Sequence, residues 1–334
     1  MIRRPPRSTQ SRSSAASDVY KRQLENNRTF NPSGLYYDLN GEERFHENEV
    51  DNYKQDHFQF HWTQSISRNL TSKLGLNLTN GKGAYEQYNE NGSEDFITRK
   101  WLDNQFYVIN FNLNYLKKKS NLILGSTYSE YDGDHFGETI WSQNSGDIEF
   151  TDLFYNGNGL KKDFSNFIKS IYQISNDISI YADLQLRKID YETSGSTSNV
   201  DELAVNKKYS FFNPKAGFNY SLNDKNKIYF SLSRAFREPT RSDFENNLNI
   251  QPEELVDYEF GWKYKSEKFY FGSNLYYMNY KNQLVLTGAL DDVGTPIREN
   301  SGKSYRKGIE LETCLLYTSD AADDLLCVDL GGRR

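Results

Sequence analysis

From about residue 55 the chain alternates apolar and polar side chains with a period of two. Phe58, Phe60 and Trp62 alternate with Gln59, His61 and Thr63, which puts the aromatic residues on one face of a strand. A turn at 67–69 follows, and Leu74, Leu76 and Leu78 then alternate with Gly75 and Asn77. The same unit recurs, as strand, tight turn, strand and long polar segment. Ile109, Phe111, Leu113 and Tyr115 turn at 117–120 and return with Leu122, Leu124 and Tyr128. Residues 167–174 turn at 175–177 and return with Ile178, Ile180, Ala182, Leu184 and Leu186. Residues 209–222 turn at 223–226 and return with Ile228, Phe230 and Leu232. Tyr258, Phe260, Trp262 and Tyr264 turn at 266–268 and return with Phe269, Phe271, Leu275 and Tyr277, and a last strand over 305–312 carries Ile309 and Leu311 on one face. The pattern predicts eleven strands. On a helix, apolar residues at i, i+2 and i+4 would scatter around the axis, and the Tyr, Phe and Ile content suits a pleated surface.

The connections alternate as well. One end of each hairpin is a turn of a few residues, whereas the other ends are long and polar, near 80–104, 132–163, 192–207, 237–254 and 284–303. Short turns on one side, long loops on the other and strands of about 9–11 residues describe a transmembrane β-barrel, with periplasmic turns and extracellular loops. The expected fold is therefore all-β, an antiparallel transmembrane barrel. The competing fold is a soluble propeller or extended sheet, whose strands run shorter and whose turns need not alternate. Eleven strands would leave two unpaired edges in hydrocarbon, and bacterial single-chain barrels have even strand numbers. The chain is thus expected to be a slice of a larger barrel.

Composition sharpens this. The 334 residues carry a net charge of −6 and 15% aromatic residues, at a mean hydropathy of −0.83. No run approaches the length of a transmembrane helix, and the acidic balance argues against a nucleic-acid partner. The aromatic content argues against disorder, and two cysteines supply neither a disulfide scaffold nor a four-ligand zinc site. Residues 1–23 are rich in Arg and Ser and poor in acids, and residues 314–334 hold both cysteines and Ala-Asp-Asp runs. Both ends resemble translated sequencing-adapter read-through and are expected to be non-native tails around a barrel segment over 24–313; a transit peptide is the other reading of 1–23.

Candidate chemistry is sparse. His57 and His61 lie four residues apart on a strand, about 13 Å, too far to share a metal ion. Asp132, Asp134 and Glu138 sit in a Gly-containing segment that suggests calcium, but without EF-hand spacing. No nucleophile elbow, phosphate loop or zinc-protease motif occurs, so neither an enzyme nor a cofactor or metal site is expected. The run Arg237-Glu238-Pro239-Thr240-Arg241-Ser242-Asp243 sets two arginines in an acidic protein. They are placed either to contact an anionic ligand or to pair with Glu238 or Asp243. Trp101 and Trp141, with Tyr85 and Tyr88, are aromatic candidates for ligand contact or for loop packing. The substrate-binding candidates are Arg237, Glu238, Arg241, Trp101 and Trp141.

The run from Asn249 through Pro252-Glu253 to Tyr258-Glu259-Phe260-Gly261 resembles a signature of TonB-dependent outer-membrane receptors. Asn213-Pro214-Lys215-Ala216-Gly217 and Phe236-Arg237-Glu238-Pro239 resemble the strands that precede it there, and 279–284 and 300–312 continue the family's order. The resemblance implies a 22-stranded barrel closed by a plug domain in the outer membrane of a Gram-negative bacterium. It also implies binding and import of a scarce nutrient, typically a ferric siderophore, energised through the inner-membrane TonB complex. The implied partners are outer-membrane lipid, that complex and the small ligand. Neither plug, energiser box nor a terminal aromatic strand is recognisable, so this slice is expected not to transport by itself. A passive porin-like or adhesin-like barrel without a plug is the alternative function, followed by an outer-membrane hydrolase.

Overall fold

The computed structural model describes residues 35–37, 40–45, 51–89, 95–143, 153–198, 200–290, 296–315 and 327–329. The expected tail over 1–23 and most of that over 314–334 lie outside the described residues. A short pair, β1 (Leu35–Tyr37) and β2 (Glu43–Phe45), precedes the main sheet. Eleven long strands follow: β3 (Asp51–Ser67), β4 (Leu70–Asn89), β5 (Phe96–Lys117), β6 (Ser120–Ser142), β7 (Leu153–Gln173), β8 (Ile178–Gly195), β9 (Val205–Asn223), β10 (Asn226–Arg237), β11 (Glu253–Lys265), β12 (Phe269–Lys281) and β15 (Lys303–Leu315). A one-turn helix, α1 (Arg241–Asn246), stands between β10 and β11, and a hairpin of β13 (Leu284–Leu290) and β14 (Pro296–Asn300) between β12 and β15. The sheet runs in sequence order from β3 to β12, then β15, with β16 (Cys327–Asp329) at its far edge against residues 312–314. Cys314 is buried and disulfide-bonded. The strand count and the antiparallel neighbour-to-neighbour order are those read from the periodicity.

The strands divide between two compact units. One comprises 1–54, 82–102 and 136–154, and the other 55–81, 103–135 and 155–334. In the second unit the register puts like with like. Leu184 and Leu186 of β8 stand opposite Pro214 and Phe212 of β9, and Phe230 of β10 is opposite Phe260 of β11, which is opposite Leu275 of β12. Most of these side chains are exposed, Leu186 at 58%, while Pro214 and Phe230 are half-buried. In water such an apolar face would be a large association-prone patch; here it is the lipid-facing band of a barrel wall. The other face is polar and internally bonded. The Tyr181 hydroxyl donates to Ser231 Oγ at 2.8 Å, Asn213 Nδ2 to Gln185 Oε1 at 2.9 Å and the Tyr229 hydroxyl to Asn274 Oδ1 at 3.0 Å. Three tyrosines of this face stand opposite glycines: Tyr181 and Gly217, Tyr229 and Gly261, Tyr276 and Gly308. Each ring fills the space that a Cβ on its glycine would need.

The turns at 68–69, 118–119, 174–177, 224–225 and 266–268 are short, as the alternation predicts. The opposite ends differ from expectation. Much of 80–104 and 132–163 is strand, because β4 continues to Asn89, β5 starts at Phe96, β6 reaches Ser142 and β7 starts at Leu153. With 18–23 residues in β4 to β9, these strands exceed the roughly 9–11 residues that cross a bilayer. Beyond the lipid both faces meet water, so the apolar alternation stops while the backbone ladder continues. Periodicity therefore locates the membrane segment of each strand and not its end. Among the described residues no helix is long and apolar enough to span a membrane, which leaves crossing by strands untouched.

Candidate functional site

At the long-loop end of the second unit, three strands deliver charge to the polar face. Arg187 of β8 reaches Asp163 of β7 through Nε at 2.9 Å and Nη2 at 2.5 Å. It also donates to Glu238, immediately after β10, through Nη1 at 2.9 Å and Nη2 at 2.8 Å. Lys161 Nζ closes the network on Glu238 Oε1 at 2.6 Å. The Glu238 side chain is 11% exposed. Burial pushes its carboxyl up, but the hydrogen bonds from Lys161 and Arg187 outweigh that and hold it below the usual carboxylate range. Pro239 restricts Glu238 to extended backbone and, lacking an N–H, helps end β10 there. Beside the network Phe211 stacks on Tyr209 at 5.5 Å and on Phe236 at 4.9 Å, the latter pair within 4° of parallel.

The chain then folds back through α1. Thr240 caps it, with its backbone N–H and its Oγ1 donating to Asp243 Oδ2 at 2.7 and 2.9 Å. Asp243 has no exposed surface and also accepts from Arg298 of β14, at 3.0 Å from Nε and 3.2 Å from Nη2. Phe244 points into a small dry core with Leu203, Val205, Ile250 and Leu284, and stacks on Tyr191 at 5.6 Å. The segment read as a polar loop thus has a core and a latch of its own.

Arg241, the first residue of α1, pairs with Glu245 at 3.2 Å, and its guanidinium occupies the space above Gly157. His135 of β6 faces the same cation. Burial, followed by the charge of Arg241, pushes its imidazole down to about 4, with Asp134 partly opposing. Asp134 and Asp132 both accept from Asn158 Nδ2 at 2.8 Å, and among the described residues no three His, Cys, Asp or Glu gather as a metal site. His57 Nδ1 lies 2.9 Å from Thr79 Oγ1.

In the first unit Trp101 Nε1 donates to Glu138 Oε1 at 3.0 Å and its ring stacks with Phe136 at 6.0 Å. Arg99 ties Glu86 and Glu138 together beside it, at 2.6 and 3.3 Å. Trp141 is 41% exposed near the end of β6. Trp101 and Trp141 thus belong to one unit, and Arg237, Glu238 and Arg241 to the other. Within the run 237–243, neither arginine takes the acids beside it in sequence. Glu238 goes to Lys161 and Arg187, Asp243 to Arg298 and Arg241 to Glu245, while Arg237 is exposed. Lys161, Asp163, Arg187, His135 and Arg298 did not stand out in the sequence. The available signal was charge at inward positions of β7 and β8, where the apolar alternation says nothing.

Residues 4–324 match the family described as TonB dependent receptor-like, beta-barrel. No curated protein sequence matches the chain. Among solved structures, the chain is similar to the ferric-catecholate import receptor Fiu from E. coli K12, in its closed form, with a TM-score of 0.57 and 14% identity over 86% of this chain and 49% of that one. The siderophore receptor PiuA from Acinetobacter baumannii gives a TM-score of 0.59 and 14% identity, covering 82% and 46%. The copper transporter OprC gives 0.65 and 13%, covering 81% and 45%. The chain spans under half the length of each, and identities this low speak for the fold alone.

Proposed function

The chain belongs to the TonB dependent receptor-like β-barrel family, a family of outer-membrane transporters in Gram-negative bacteria, and on that premise we propose that it forms part of the barrel of a receptor that imports a ferric siderophore. The family match over residues 4–324 carries this reading. Solved structures of the same fold named for ferric-catecholate and siderophore import support the cargo class. At the loop end of the second unit Lys161, Arg187 and Arg241 stand near Tyr209 and Phe211, each cation paired with Glu238, Asp163 or Glu245, so an anionic chelate would bind there by exchanging with those carboxylates. Arg237, Glu238 and Arg241 are the proposed ligand contacts of the second unit, and Trp101 and Trp141 are proposed separately as contacts on the first. Energy comes from the TonB complex; no bond of the cargo is broken.

The test is radioiron uptake by cells that have lost their own siderophore receptors and make the complete receptor containing this barrel segment. Saturable uptake of a ferric siderophore, abolished without TonB, supports the reading. Non-saturable uptake that persists without TonB would instead mark a passive pore. Uptake of radiocopper without radioiron would move the cargo toward that of OprC.

A further inference from the structure

We infer that the lipid-facing side of β10, β11, β12 and β15 holds a phosphate-bearing lipid, with acyl chains in an aromatic groove and the headgroup on three lysines. In one register row Phe230, Phe260, Leu275 and Ile309 stand side by side; in the next, Tyr258 and Tyr277 are joined by Lys307. Together they line a shallow groove of about 650 Å³ that opens on the apolar face. Two rows further toward the long loops, Lys281 of β12 stands directly opposite Lys303 of β15, both exposed. Like charges in direct cross-strand opposition destabilise a sheet, and an anion bound between them reverses the sign.

The local acid does not neutralise them. Glu254, opposite Lys281, is engaged by Arg234 at 2.8 Å. Lys281, Lys303 and Lys307 form no ion pair among the described residues; the Lys307 ammonium lies 5.8 Å from the Tyr305 ring. A cluster of unpaired lysines in a chain of net charge −6 is not a reflection of composition. The two lysine rows are four residues apart, about 13 Å along the strand, within the combined reach of a headgroup and flexible lysine stems. The occupant is a lipid rather than an acidic protein, because the groove runs from the cations into the band that faces hydrocarbon. The inference does not depend on the cargo.

The complete receptor containing this barrel segment, purified in a neutral detergent, is mixed with equal amounts of dioleoylphosphatidylglycerol and dioleoylphosphatidylcholine, and bound lipid is counted by native mass spectrometry. The anionic lipid should be retained about fivefold or more over the neutral one, since one lysine at an anionic lipid surface is worth about that factor. Lys307→Gln should reduce the preference, and the triple change Lys281→Gln, Lys303→Gln, Lys307→Gln should abolish it with the far-ultraviolet β spectrum unchanged. Lys225→Gln with Lys268→Gln, at the short turns, should leave it intact. Equal retention of the two lipids, or a triple variant that keeps its preference, would overturn the inference. So would release of the lipid by excess inorganic phosphate, which marks a bare anion site, or a dimer lost in the triple variant, which marks a second copy as the occupant.

Discussion

Tyr229 on β10 and Gly261 on β11 are direct cross-strand partners, and the tyrosine ring occupies the volume that any side chain at 261 would require. The hydroxyl of the same ring reaches across to Asn274 of β12, so one side chain spans three strands. Tyr181 over Gly217 and Tyr276 over Gly308 repeat the arrangement. A large ring laid over a glycine fills the polar face without a dry core behind it.

Gly261→Ala should therefore destabilise the barrel by about 1–3 kcal/mol, the usual cost of overpacking. The same change in a Tyr229→Ala background should cost much less, because the obstructing ring is gone. Urea unfolding in lipid vesicles of the complete receptor carrying each of the four sequences of this cycle measures the coupling. Additive effects would mean that the ring and the glycine do not depend on each other.

The assignment of faces has its own test. Leu184→Arg places a charge in the lipid-facing band and should cost about 2–4 kcal/mol. Asp183→Asn, one residue away on the polar face, should cost well under that. Equal effects in vesicle refolding would contradict the two-faced wall.

Asp243 and Arg298 fasten the α1 segment to the β13–β14 hairpin through a carboxylate with no exposed surface. Arg298→Met leaves that carboxylate buried without its cation, a change worth about 3–5 kcal/mol. The expected result is local: protease cleavage within 238–252 should accelerate while the transmembrane strands stay protected. The double variant Arg298→Met, Asp243→Leu should recover part of the loss.

His135 supplies the pH dependence. Its folded value of about 4 lies below the ordinary 6.5, so between these values the opened state binds a proton that the packed state excludes. Protonation opposes packing: stability of this end of β6 against Arg241 should be constant above pH 6.5 and fall as the pH drops toward about 4. Hydrogen exchange of β6 amides across that window measures it, and His135→Gln should flatten the profile.

Much of the fold was legible because lipid imposes a strict rule on sequence. Each crossing strand must alternate, and short turns must separate strands at one end, so the eleven strands, their order and their apolar face follow from residues such as Phe58-Gln59-Phe60 and Ile180-Tyr181-Ala182. The motifs around Pro252-Glu253 and Phe236-Arg237 placed the family on the same evidence, and the family match agrees. The rule weakens above the membrane. There the ladder of β4 to β7 continues through residues that read as polar loop, since backbone hydrogen bonds need no apolar pattern.

The candidate site was legible only in part, for a related reason. Glu238 and Arg241 drew attention as charges in a short run, but their company was set by register. Glu238 meets Lys161 across 77 residues and Arg187 across 51, and Asp243 meets Arg298 across 55. A local pattern carries no information on such separations. The amino-acid sequence by itself determined which side chains face lipid and which face inward, because that depends on a period of two. Only the tertiary structure decided which inward charges meet, because that depends on how strands far apart in the chain are aligned.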